Sequence, residues 1–132
     1  VAGQVWIAPG NQHLIVEKNG FHLRVRLDHG PLVNSCRPSV DVLFRSVAEV
    51  FGGTSIAVVL TGMGHDGLDG CRLIRKKGGK VIVQDQATSI VWGMPRAVAE
   101  AGLADHVLPL HSIADELIRM SQVGRSAVAS VC

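Results

Sequence analysis

The residues of this chain best suited to chemistry lie in residues 61–67, TGMGHDG, directly after the apolar run Ile56-Ala57-Val58-Val59-Leu60. A continuous apolar run that stops at turn residues is the pattern of a strand covered on both faces. In open parallel sheets, ligands and reactions sit outside the carboxyl ends of such strands. Asp66 therefore falls at the rim where an α/β protein keeps its chemistry, at the entry to a predicted helix. Three roles fit a carboxylate there. It can cap that helix, because a negative group near a helix N-terminus satisfies free N–H groups and contributes ~0.3–1 kcal/mol. It can belong to a dinucleotide site: Gly62, Gly64 and Gly67 spell G-x-G-x-x-G, and Asp85 follows 18 residues after Gly67, where a ribose-binding acid belongs. An ionised Asp66 inside that turn would, however, repel a pyrophosphate by on the order of several kcal/mol before screening. Or it can be the carboxylate of a Ser–His–Asp triad, in a turn whose glycines expose N–H groups to an oxyanion ~2.7–3.1 Å away.

The elements that must hold this turn are legible from periodicity. Residues 4–8 (QVWIA) form a short apolar strand ended by Pro9-Gly10. A hairpin turns at Asn19-Gly20, the dipeptide suited to a type I′ turn, with Lys18 opposite Phe21, Glu17 opposite His22 and Val16 opposite Leu23. Leu14, Val16, Phe21, Leu23 and Val25 then share a buried face, and Glu17, His22, Arg24 and Arg26 a wet one. Arg37-Pro38-Ser39 leads into a helix over 40–51 with an apolar stripe of Val40, Leu43, Phe44, Val47, Val50 and Phe51. Asp41 suits the dipole of that helix and pairs with Arg45 four residues on. Beyond the apolar strand come a helix over 67–77, a strand over 80–84, a helix opened by Pro95, a strand near 106–108, and a last helix opened by Ser112 with Asp115 as its box partner. Residues 122–132 are small and polar and read as a loose tail. Strands alternating with helices predict a mainly parallel, doubly wound α/β sheet with helices on both faces and one antiparallel hairpin.

Composition narrows the function classes. The 132 residues suffice for one domain, and a net charge of +2 with scattered basic residues gives no nucleic-acid footprint. No segment approaches the ~18 apolar residues of a membrane span. Cys36, Cys71 and Cys132 are odd in number, far apart and without CxxC spacing, so they read as reduced thiols in a cytoplasmic protein rather than as zinc ligands. The first residues have neither a basic region nor a long apolar core, so they show no secretion signal. Apolar residues make up 47% of the chain, and mean hydropathy is +0.29. That is high for so few strands. With the absence of an initiator methionine, it raises the expectation that further strands lie upstream.

Residues 60–67 (LTGMGHDG), with PSVDVLF at 38–44, VWGMPRAV at 91–98 and VWIAPGNQHL at 5–14, resemble the catalytic domain of the chemotaxis protein-glutamate methylesterases (CheB), which follows a response-regulator receiver domain. The four blocks keep the family's order and span roughly residues 5–100. By this resemblance Asp66 matches the triad aspartate and Met63 the residue associated with the oxyanion site. His65 stands where many relatives carry asparagine and receives no role. The resemblance implies hydrolysis of glutamyl methyl esters on the cytoplasmic domain of methyl-accepting chemoreceptors, glutamine deamidation, a receiver domain in the same polypeptide, and no metal or organic cofactor. In the family, the nucleophilic serine and the triad histidine precede the region that VWIAPG begins. This chain has no G-x-S-x-G elbow, and none of its nine serines sits in a glycine-rich strand-to-helix turn. The expectation is that residues 1–132 are the C-terminal two-thirds of one methylesterase domain, inactive when isolated. The alternative is a dinucleotide-binding module using Gly62, Gly64, Gly67 and Asp85. Asp85 also suits a plain turn, and Trp92, beside Pro95, suits either the wall of a substrate groove or plain packing.

Overall fold

The computed structural model describes residues 3–128, and the side chains of residues 3–122. The order is β1 (His13–Asn19), β2 (His22–Asp28), α1 (Val40–Phe51), β3 (Ile56–Val59), α2 (Leu68–Lys76), β4 (Lys80–Gln84), α3 (Met94–Glu100), β5 (His106–Leu108) and α4 (Leu110–Val128). β3, β4 and β5 make a parallel sheet in that order, and β1 and β2 form a separate antiparallel pair. The mixed α/β architecture expected from the pattern is therefore present.

The core lies where α1, α2 and α3 meet one face of the sheet. Ala57 and Val59 of β3 and Val81 and Val83 of β4 pack there with Ala48, Cys71, Ile74 and Val98. Successive strand residues face opposite ways, so Ile82 and Gln84 lie on the other face, and both are buried. This corrects one expectation. The strand covered on both faces is β4, in the centre, whereas β3 is an edge among the described residues: Ile56 and Val58 are half-buried and Leu60 is exposed. An unbroken apolar run cannot say which of two neighbours is flanked on both sides.

Three further departures have local causes. Residues 4–8 pair with nothing described. Val5 and Ile7 are almost fully exposed, and Trp6 shares a shallow apolar hollow with Val16, Leu23, Val25 and Phe51. The hairpin closes at Asn19↔His22, two residues out of the expected register. Gly20 (φ 60°) is thus the first of two turn residues, the II′ pattern, and Phe21 is left in solvent. A two-residue slip preserves the faces, and here it sets Glu17 opposite Arg24, bonded to Arg24 Nε (2.8 Å) and Arg26 Nε (2.5 Å). Finally, α4 begins at Leu110, ahead of Ser112, and runs through residues expected to be loose. Cys132 lies outside the described residues.

Polar contacts tie the hairpin to the helical layer, one of them at the middle of β1. Ser46 of α1 accepts the Val16 N–H at 3.0 Å and donates to the Leu43 carbonyl at 2.7 Å. A serine inside the apolar stripe is therefore buried with its hydroxyl satisfied.

Candidate active site

Asp66 follows β3 at the carboxyl end of the sheet and is buried, with 6% of its surface exposed. Its partners are not those of the helix that follows it. Oδ1 accepts the Ser39 hydroxyl (2.7 Å), the Asn34 amide (2.9 Å) and the Asp41 N–H (3.2 Å), and Oδ2 accepts the Val40 N–H (2.6 Å). The capping expectation thus holds in kind and fails in place. Asp66 caps α1, which lies 26 residues upstream by the Val40 contact, while α2, with Gly67 at its N-cap, has no side-chain bond from that cap. Burial pushes the Asp66 carboxyl upward, but the bonds from Asn34, Ser39, Val40 and Asp41 outweigh it and hold the group below the ordinary carboxylate value. Asp66 is therefore an ionised, buried, fixed carboxylate. A carboxylate has about four lone-pair sites and Oδ2 receives a single donor, so Oδ2 keeps acceptor capacity.

Asp41 behaves differently from its sequence reading. It forms no pair with Arg45. It is buried, with Oδ1 accepting the Gly70 N–H (2.6 Å) and Oδ2 accepting the Asn34 amide (2.7 Å). One asparagine nitrogen thus bridges two carboxylates and offsets their repulsion, from a backbone with φ 52°. Asn34, Ser39 and Asp41 are the site residues that motif reasoning passed over. A usable signal existed: PSVDVLF and LTGMGHDG both carried the family resemblance, and these two blocks meet at Asp66.

Met63 stands exposed at the tip of the turn, and its N–H has no acceptor among the described residues. Its neighbours are pinned. Gly62 donates to the Val91 carbonyl (2.9 Å) and accepts from the Gly93 (3.1 Å) and Met94 (2.8 Å) N–H groups. Thr61 Oγ1 donates to Val91 O (3.1 Å) and accepts from Val91 N–H (2.9 Å). Buried Gln84 props both strands of this clasp, accepting the Thr61 N–H through Oε1 (2.8 Å) and the Trp92 indole through its carbonyl (3.2 Å). A Cβ at Gly93 would stand 2.7 Å from Gly62 O, so only glycine permits the approach. Met63, His65, Trp92, Arg96 and Glu100 line one open hollow.

The same geometry lends the dinucleotide alternative no support. Gly62 is committed to residues 91–94, and Asp66 occupies the turn. Asp85 is a turn former, with Oδ1 accepting the Thr88 N–H (2.9 Å) and hydroxyl (2.6 Å), bonds that also lower its carboxyl. Ser39 stands beside Asp66 with buried His13 behind it, yet they are not wired as a nucleophile and base. The Ser39 hydroxyl donates to the carboxylate, and His13 Nδ1 accepts the Ser39 backbone N–H (3.1 Å). Among the described residues no three His, Cys, Asp or Glu side chains converge as metal ligands, and no helix is long and apolar enough to cross a membrane.

A parallel sheet with a fixed carboxylate and an uncommitted N–H at its carboxyl rim defines the class, an open-sheet α/β domain. The chain belongs to the CheB methylesterase family, whose model, described as "CheB methylesterase", matches residues 1–117. It is 58% identical over 118 residues to a protein-glutamate methylesterase/protein-glutamine glutaminase of Trichodesmium erythraeum, covering 89% of this chain and 34% of that protein. It is 56% identical over 117 residues to one of a Nocardioides species, covering 89% of this chain and 32% of that protein. The chain thus spans about a third of the length of the curated relatives it matches. Among solved structures, the Thermotoga maritima CheB methylesterase catalytic domain superposes with a TM-score of 0.85 at 41% identity, covering 87% of this chain and 61% of that one.

Proposed function

We propose that this chain supplies the carboxylate arm of a protein-glutamate methylesterase that hydrolyses glutamyl methyl esters on the cytoplasmic domain of chemoreceptors and deamidates glutamines there. Residues 1–132 are part of a single catalytic domain that shares its polypeptide with a receiver domain. In this reading the nucleophilic serine and the base histidine come from polypeptide other than these residues. Serine attacks the ester carbonyl and gives its proton to histidine. Asp66 Oδ2 accepts the histidine Nδ1–H, holds the ring's orientation and stabilises the imidazolium. The Met63 N–H donates to the oxyanion of the tetrahedral intermediate. Collapse of that intermediate expels the methoxy group, which takes the proton back from histidine and leaves as methanol. Water then repeats the sequence on the acyl-enzyme and releases the glutamate.

What carries the proposal is Asp66 itself: buried, held ionised by four donors, and retaining acceptor capacity on Oδ2. A triad aspartate needs that combination, because its task is to hold a ring and face a cation without taking the proton. The test is Asp66→Asn in the complete enzyme, followed by methanol release from methylated receptor. Serine proteases lose roughly 10⁴-fold in turnover on the equivalent change, and a loss of that order is expected. A variant that turns over at near wild-type rate overturns the assignment. Residues 1–132 assayed alone release no methanol, and Asp66-dependent hydrolysis by them would show that the nucleophile lies within this chain.

A further inference from the structure

Ser39 occupies the N-cap of α1 with the extended backbone that position requires (φ −109°, ψ 136°), yet its side chain makes no cap bond to its own helix. Serine at an N-cap ordinarily accepts the N–H of the second or third helical residue. Here Asp66 has taken over that duty, accepting from Val40 and Asp41 in the first turn. The Ser39 hydroxyl is thereby released as a donor, and it is directed at Asp66 Oδ1. Behind it stands His13, whose Nδ1 accepts the Ser39 N–H and whose Nε2 lies 2.9 Å from the Pro31 carbonyl. An accepting Nδ1 requires the proton on Nε2, which donates to Pro31, so the partners select one neutral tautomer. Ser39 and His13 are each only 2% exposed. The proposed function gives neither of them a task.

We propose that Ser39, fixed from behind by His13, is a positioning residue for Asp66: its hydroxyl locks the carboxylate so that the unclaimed lone pair of Oδ2 faces the substrate side. The inference rests on Asp66 being the triad carboxylate. Oδ1 is loaded with three donors and Oδ2 with one. Removing the hydroxyl leaves Asn34 and two backbone N–H groups, and takes from Oδ1 the shortest of its three bonds. The carboxylate is then freer to rotate about its Cβ–Cγ bond, which turns Oδ2 off the histidine. A hydrogen bond to a charged group that fixes orientation in this way corresponds to a loss of about 10- to 100-fold in rate when deleted.

The test uses the complete methylesterase and methylated receptor. Ser39→Ala is expected to lower kcat by about 10- to 100-fold with KM within about twofold, and Ser39→Thr, which keeps the hydroxyl, to recover most of that loss. The discriminating measurement is the double variant. If Ser39 acts through Asp66, adding Ser39→Ala to Asp66→Asn costs nothing further, whereas a merely structural serine multiplies the two losses. His13→Asn, whose amide oxygen can accept the Ser39 N–H, is expected to lose less than His13→Leu. Should Ser39→Ala not purify folded, Ser39→Cys retains the shape with a weak donor and takes its place. Full activity in Ser39→Ala, multiplied losses in the double variant, or equal losses for the two His13 variants would overturn the positioning role while leaving Asp66 catalytic. A fully active Asp66→Asn enzyme would overturn the triad reading and this one together.

Discussion

Replacing Asp66 with asparagine also perturbs folding, and the size of that effect follows from the bonds at its two oxygens. An asparagine whose oxygen takes the place of Oδ1 keeps the Ser39, Asn34 and Asp41 donors, but its NH₂ then faces the Val40 N–H. Two donors face each other in a buried site, leaving an unsatisfied N–H at a cost of ~1–3 kcal/mol. The lost charge at the N-terminus of α1 adds ~0.3–1 kcal/mol. The sum is a destabilisation of ~1–4 kcal/mol, a sizeable share of the ~5–15 kcal/mol that a domain has. Denaturant titration of both proteins reads this, and amide exchange at Val40 and Asp41 localises it. The effect depends on pH with a definite sign. The Asp66 carboxyl is held below its ordinary value, so its contribution is complete above about pH 4, the unfolded value, and disappears as pH falls through the folded one. The gap between wild type and variant therefore narrows in acid below about pH 4. Equal stabilities at pH 7, with unchanged exchange at Val40 and Asp41, would refute the wiring described for α1.

Other predictions address the turn and the core. Gly93→Ala places a Cβ 2.7 Å from Gly62 O and 3.1 Å from Gly64 N, so the Met63 turn must shift. The expected result in the complete enzyme is a fall in kcat of at least about 10-fold from a misplaced oxyanion donor, with about 1–3 kcal/mol of destabilisation. Gln84→Met keeps the volume but leaves the Thr61 N–H and the Thr88 carbonyl without their side-chain partner, for about 1–3 kcal/mol by denaturant titration. Cys71 is fully buried and its thiol is pushed up to about 12, first by burial and then by Asp41. At pH 8 a thiol reagent should label half-buried Cys36 first and reach Cys71 only on unfolding, as peptide mapping after timed labelling would show.

The chain's local order was written in residue types and spacing. Helical periodicity set α1 at Val40–Phe51, Gly78-Gly79 stopped α2, and Pro95 marked the start of α3, because each depends on neighbours within a turn or two. Asp66 could be placed at a strand end from the apolar run alone, and four sequence blocks sufficed to suggest the family. What no local pattern contained was the partner of each polar group. Asp66 looked like the cap of α2 and caps α1. Asp41 looked like a surface mate for Arg45 and is a buried brace for α2. The QVWIA stretch had the composition of a strand, but a strand exists through hydrogen bonds to another one, and none is described beside it. The hairpin kept its faces and slipped its register, since alternation constrains parity while the turn and the cross-strand pairs select the alignment. Periodicity is a property of one segment and survives reading in one dimension. Hydrogen-bond partnership among Asn34, Ser39, Asp41 and Asp66 joins residues up to 32 positions apart, and it comes into being when α1 and α2 pack together beside the sheet.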